Sequence, residues 1–126
     1  MYKKVIDFWF SEINQEMWWT KDAEFDNLIT TKFGHLHEQA KYGELFEWRQ
    51  NAEGSLAEVI ILDQFSRNIY RNQPESSACD PMALVLAQAA ITRGFDLELS
   101  TDMRSFLYLP FMHIESKTIQ GSSEES

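Results

Sequence analysis

The residues best suited to chemistry fall in one stretch, Leu62–Arg71. Asp63, Arg67 and Arg71 stand four positions apart, the spacing that stacks side chains on one face of a helix. Two guanidiniums so placed offer a forked set of donors to a carboxylate or phosphate. Asp63 would orient Arg67, and Asn68 would add a neutral donor and acceptor. The plainer alternative is a helix salt bridge between Asp63 and Arg67 worth roughly 0.3–0.5 kcal/mol, with Arg71 solvated at the helix end near its negative dipole. One feature weighs against the plain reading. Leu56 and Ile60 lie on the same face one turn earlier, so an apolar stripe runs on into the charged one. Ordinary amphipathicity separates the two, and charges aimed at a core must be paired or must bind something.

Other candidates are weaker. His113 and Glu115 follow Pro110-Phe111-Met112. His113 would serve as a general base or as a hydrogen-bonding wall of an arginine pocket; its plain alternative is a structural histidine beside a kink. His35 and His37 are two apart, and no histidine stands at the i, i+4 offset of a helical zinc site, so no metal is expected. The single cysteine, Cys79, excludes an intramolecular disulfide and reads as a small, partly buried hydrophobe. The aromatics at positions 8–10, 18–19, 25 and 48 read as packing, with a ligand-stacking or peptide groove as the lesser alternative. Gly-rich phosphate loops, Gly-x-Ser-x-Gly elbows and zinc-spaced Cys/His sets are lacking, so no cofactor is expected.

Helices must position these residues. Val5, Ile6, Trp9 and Phe10 recur at helical spacing. Phe25, Ile29, Phe33, Leu36 and Ala40 form a second stripe, with Thr20 or Asp22 to cap it and Gly43 to stop it. Ser55-Leu56-Ala57-Glu58 fits a capping box, predicting a third helix to about Asn72. It is apolar nearly all round through Leu62, so it belongs inside a helical layer. Asp80 as cap, Pro81 at the first helical position and Gly94 as stop bound a fourth, with Ala83, Ala87 and Ala90 as a small-residue stripe. A fifth begins after Ser100 or Thr101, and Pro110 kinks it or starts another. Period-two alternation is too short anywhere for a strand. The fold class is therefore all-α, about five helices, in a single domain over residues 1–120 with a flexible tail over 121–126.

Composition agrees. With 126 residues, the chain can bury one real core. Hydrophobics at 44% and aromatics at 13% exclude wholesale disorder. A net charge of −9 repels phosphate backbones and argues against nucleic acid. The lack of a signal-peptide pattern and of an apolar run near 20 residues argues for a soluble, cytoplasmic protein off the membrane.

Three elements in order, Val5-Ile6-Asp7-Phe8-Trp9-Phe10, Leu62–Arg71 and Phe106-Leu107-Tyr108-Leu109-Pro110-Phe111-Met112-His113, resemble a bacterial family, number nine hundred and twenty-four in the domain-of-unknown-function series. The resemblance implies a tetratricopeptide-like helical array. Ile114 stands where the family pattern has Ser. Family members also continue into a Gly-Arg-Phe-Pro-His-Arg-Asn element beyond the end of this chain, so the chain is expected to lack the C-terminal half, to expose an apolar flank and to self-associate.

Functional expectations follow in order. The first is a binding module for a peptide, protein or small anionic ligand, gripped by Arg67 and Arg71 with Asp63 and Asn68 setting their geometry and His113 and Glu115 nearby. The second is an enzyme with His113 as a base near the arginines. The third is a purely structural lock.

Overall fold

In a computed structural model, the structure describes the backbone of residues 1–125 and the side chains of residues 1–115. Five helical rods form it. Helix α1 (Tyr2–Asp7) runs on through a π turn at Phe8–Glu12. Helix α2 spans Ala23–Lys41. Helix α3 (Ala52–Ile60) continues through a second π turn, Ile61–Phe65, into the short α4 (Ser66–Ile69). Helices α5 (Asp80–Thr92) and α6 (Thr101–Glu125) complete the set. Short 3₁₀ turns connect several of them, and no strand occurs among the described residues.

The α3–α4 rod is the centre. It packs on α1, α5 and α6 through α3, and on α2 through α4 and the second π turn. Its sequence requires this place: Leu56, Ala57, Val59, Ile60, Ile61 and Leu62 are all wholly buried, so no side of the helix is left for water. Glu58, equally buried, is compensated by a two-pronged bond from Arg49 Nε and Nη2 at 2.9 Å each. That bond, opposed by burial, holds the Arg49 pKa above its ordinary value. Ala83, Ala87 and Ala90 are buried where α5 meets α3 and α6. Around Phe65 the aromatics interlock. Phe33 lies 5.0 Å from it and Trp9 5.6 Å, and Trp9 in turn meets Phe106 at 5.7 Å. Such stacked and edge contacts tie α1, α2, the second π turn and α6 together.

Several boundaries match their local chemistry. Asp22 caps α2 by accepting from the Phe25 N–H at 3.0 Å, and Gly43 and Gly94 take the left-handed backbone (φ +75° and +78°) just past α2 and α5. Others correct the sequence reading. Asn51, not Ser55, caps α3, its Oδ1 accepting from the Gly54 N–H at 2.8 Å; Asn and Ser cap equally well, and Ser55 is already buried inside the helix. The rod ends at Ile69, not Asn72. Tyr70 leaves helical geometry, and Asn72 has φ +66°, a conformation asparagine tolerates better than most. Asp80 makes no cap bond and is itself the first residue of α5. Pro110 lies inside α6 and starts no new helix. The flexible tail expected over residues 121–126 lies beyond the described side chains. No helix among the described residues is long and apolar enough to cross a membrane.

Gly54 exposes the tightest constraint on the entry to α3. A Cβ there would overlap the Trp48 carbonyl oxygen, which is backbone and cannot swing aside. Gly54→Ala is expected to lower stability by about 2 kcal/mol, despite alanine's better helix propensity. Urea unfolding of the two proteins measures this; an unchanged or raised midpoint would show that the backbone yields freely.

Candidate functional site

The second π turn builds the site. Its i→i+5 geometry accommodates an extra residue in the turn, a deviation that recurs at functional sites. Side chains take up carbonyls within it: the Ser66 hydroxyl donates to the Leu62 oxygen at 2.6 Å, and Arg67 Nη1 donates to the Asp63 oxygen at 2.8 Å. Arg67 is thereby drawn back along its own helix toward Asp63.

Asp63 is wholly buried, and three donors converge on its carboxylate. Gln64 Nε2 reaches Oδ2 at 2.9 Å. On Oδ1, His113 Nδ1 donates at 2.8 Å and Arg67 Nη1 makes a longer 3.4 Å contact. Arg67 also grips Asp80 at the start of α5 with both terminal nitrogens, Nη1 to Oδ1 at 3.0 Å and Nη2 to Oδ2 at 3.1 Å. Arg71 turns the other way. It holds Asp26 on α2 through Nε at 2.7 Å and Nη2 at 2.8 Å, while Asn68 Nδ2 donates to the same carboxylate at 2.9 Å. Burial works against charge on Asp26. The bonds from Arg71 and Asn68 outweigh it and hold that carboxyl below its ordinary range; the same pairing raises Arg71.

Above this network lies a cleft of about 190 Å³, lined by Trp18, Trp19, Lys21, Gln64, Arg67, Asn68, Arg71 and His113. The first π turn supplies one wall, because the Trp9 carbonyl accepts the Trp18 indole N–H at 2.8 Å. A guanidinium has five N–H donors. Arg71 spends two on Asp26; Arg67 spends three on the Asp63 carbonyl and Asp80. The remaining five have no protein acceptor among the described residues. With Nδ1 donating to Asp63, Nε2 of His113 has no protein partner among the described residues.

The structure thus brings Asp63, Arg67, Asn68, Arg71 and His113 together. Glu115 is exposed and does not line the cleft. Arg71 sits beyond the end of α4, so it does not stack on Arg67. Asp26 and Asp80, which complete the network, were not legible as site residues. Asp26 pairs across 42 and 45 positions of sequence, where no local spacing points. The Asp80-Pro81 pair imitates a helix cap so closely that its long-range role was hidden. Trp18, Trp19, Lys21 and Gln64 also line the cleft, and only the aromatic clustering of the two tryptophans hinted at it.

One ligand atom each from Asp63, Asp80 and His113 lie within 4.8 Å of one another, a grouping that would suit a divalent cation. Here the Arg67 guanidinium already bonds both carboxylates, and the His113 nitrogen is committed to Asp63, so the protein supplies its own cation. His35 is exposed. His37 is buried, its Nε2 2.8 Å from Ser66 Oγ; since the Ser66 hydrogen goes to Leu62, His37 is the donor. The two histidines therefore share no ligand.

Comparison with known proteins adds the following. A family model described as a bacterial protein of unknown function, DUF924, matches residues 5–126. The solved structure of a protein of unknown function, ATU0120 from Agrobacterium tumefaciens, is similar to this chain with a TM-score of 0.85 and 42% sequence identity, over 89% of this chain and 63% of that one. The chain therefore spans less than two thirds of the length of that relative. Curated proteins give no significant match.

The base of the site is acid-sensitive, with a sign that burial fixes. Burial chiefly, with Lys41 adding and Glu38 opposing, lowers the His37 pKa from 6.5. Between the folded value and 6.5 the unfolded chain binds the extra proton, so this stability is complete above about pH 6.5 and is lost as pH falls through the folded value. Asp26, lowered from 3.8, contributes above about pH 3.8 and fails as pH falls through its own folded value. Urea midpoints should start to fall below about pH 6.5, and His37→Gln should remove that first step. A wild-type midpoint flat from pH 7 to 4 would contradict this.

Proposed function

The chain belongs to the DUF924 family of bacterial proteins of unknown function, and on that footing we propose that it is a binding module whose cleft takes a small anionic ligand. One observation carries the reading: two guanidiniums are fixed by carboxylates on α2 and α5, leaving five unused N–H donors beside a cleft that Trp18 and Trp19 wall. Donors held in advance cost little ordering entropy on binding. The cleft, at about 190 Å³, is smaller than the roughly 300–1,000 Å³ of sites for drug-sized molecules. Its size suits a carboxylate or phosphate group better than a peptide or protein segment. Because Asp26, Asp63 and Asp80 together more than balance the two arginine charges, hydrogen-bond geometry and Lys21 must provide the discrimination. The single cysteine suits a cytoplasmic setting.

A second reading rests on His113. A buried carboxylate holding Nδ1 leaves Nε2 facing the ligand, the arrangement that orients a histidine as a general base. Under it, His113→Gln retains ligand affinity and loses turnover.

Tryptophan fluorescence titrated with phenyl phosphate, inorganic phosphate and malonate tests the binding reading. Phenyl phosphate should quench saturably through Trp18 and Trp19. Arg71→Lys, which keeps the charge and loses the fork, should weaken binding by about tenfold. The exposed Lys21→Gln should weaken it several-fold without altering the melt. Equal response of wild type and both variants, or no response to any of the three anions, would remove the proposal.

A further inference from the structure

A second concavity lies apart from the cleft and shares no residue with it. It is a groove of about 520 Å³ between α1, α2 and the segment that joins α2 to α3, within the roughly 300–1,000 Å³ of small-molecule sites. Phe33, Leu36, Leu45 and Trp48 give it an apolar floor, and Lys4 and Lys32, with Met1 and His35, are its ionisable residues. Phe33 and Leu45 are buried, Leu36 and Trp48 half-buried. Trp48 is steadied by an edge contact with Tyr2 at 6.2 Å.

The charge pattern distinguishes this groove from a bare apolar patch. The protein carries a net charge of −9, yet no carboxylate lines the groove and two lysines do, beside Met1 and His35. Neither lysine is in a salt bridge among the described residues. The Lys32 ammonium stands 5.8 Å from the Phe8 ring centre and 5.7 Å from that of Phe33, which keeps it over the aromatic floor. Solubility alone would place the lysines anywhere; here both line the same groove as the apolar surface, where an anionic head joined to an apolar body finds both its partners.

From this we propose that the groove is a binding site for an amphipathic monoanion, with its apolar body on Phe33, Leu36, Leu45 and Trp48 and its carboxylate-type head between Lys4 and Lys32. It is independent of the anion cleft beside Arg71 and stands or falls by itself. Burying an alkyl or aryl body supplies most of the affinity, and the lysines select the anion over its neutral counterpart.

Calorimetric titration with decanoate and with decanol, and separately with 1-naphthoate, tests it on the whole chain. Decanoate should bind at one site with decanol at least several-fold weaker. The double variant Lys4→Gln, Lys32→Gln changes only exposed positions. It should weaken decanoate by about tenfold and leave decanol unchanged. Leu36→Asp should weaken both, and Arg71→Lys neither. The relative strength of decanoate and 1-naphthoate distinguishes an acyl from an aromatic body. Equal binding of decanoate and decanol, an unaffected double lysine variant, or loss of decanoate binding in Arg71→Lys would each overturn the proposal.

Discussion

A guanidinium set between two buried carboxylates is the interaction on which this structure depends. Asp63 and Asp80 come from the second π turn and from α5, and both are almost wholly shut off from water. Two carboxylates this close, without solvent, would repel, and each carries a desolvation cost of several kcal/mol. Arg67 lies between them and bonds both. His113 of α6 then bonds the same Asp63 oxygen that Arg67 contacts, while Arg71 and Asn68 reach Asp26 on α2. Four parts of the chain that the hydrophobic core brings near one another are in this way held in one register. Buried pairs of this sort add less to stability than to specificity; here they also set the directions in which unused donors point.

Both π turns contribute to the arrangement. Each has carbonyls that accept from side chains, and those side chains shape the cleft. Trp9 accepts from the Trp18 indole; Asp63 accepts from Arg67; Leu62 accepts from Ser66, which in turn receives His37 from α2. Similar side-chain bonds to the carbonyl four residues back occur in α2 and α6; what the two π turns share is that their donors Trp18 and Arg67 both line the cleft.

Much of this was legible in the residues. The all-α class, the buried central helix and the inward aim of Asp63 followed from the apolar stripe at Leu56 and Ile60 that runs on into charge. Periodicity of 3.6 sees one helix at a time, however. It located Arg67 and Arg71 and could not tell that they diverge, because a π turn and a helix end intervene between Asp63 and Arg71. Nor could it find Asp26, whose partners lie across the fold, or read Asp80 as more than a cap. Ser55 misled for a related reason: the capping-box pattern is local, and the real cap, Asn51, was fixed by the close approach of Gly54 to the Trp48 backbone. Charged partners and close contacts are tertiary facts, and a single sequence records them only as isolated acids and glycines.

The central claim is that Arg67 and Asp80 act as a single unit at the floor of the cleft. A double-mutant cycle measured by urea unfolding, with Arg67→Met, Asp80→Asn and the pair, tests it most directly. The account predicts that Arg67→Met costs about 3 kcal/mol by stranding buried carboxylates, that Asp80→Asn costs less because Arg67 is partly exposed and keeps Asp63, and that the pair costs less than the sum by about 1 kcal/mol or more. Losses that simply add, with a coupling below about 0.5 kcal/mol, would contradict it.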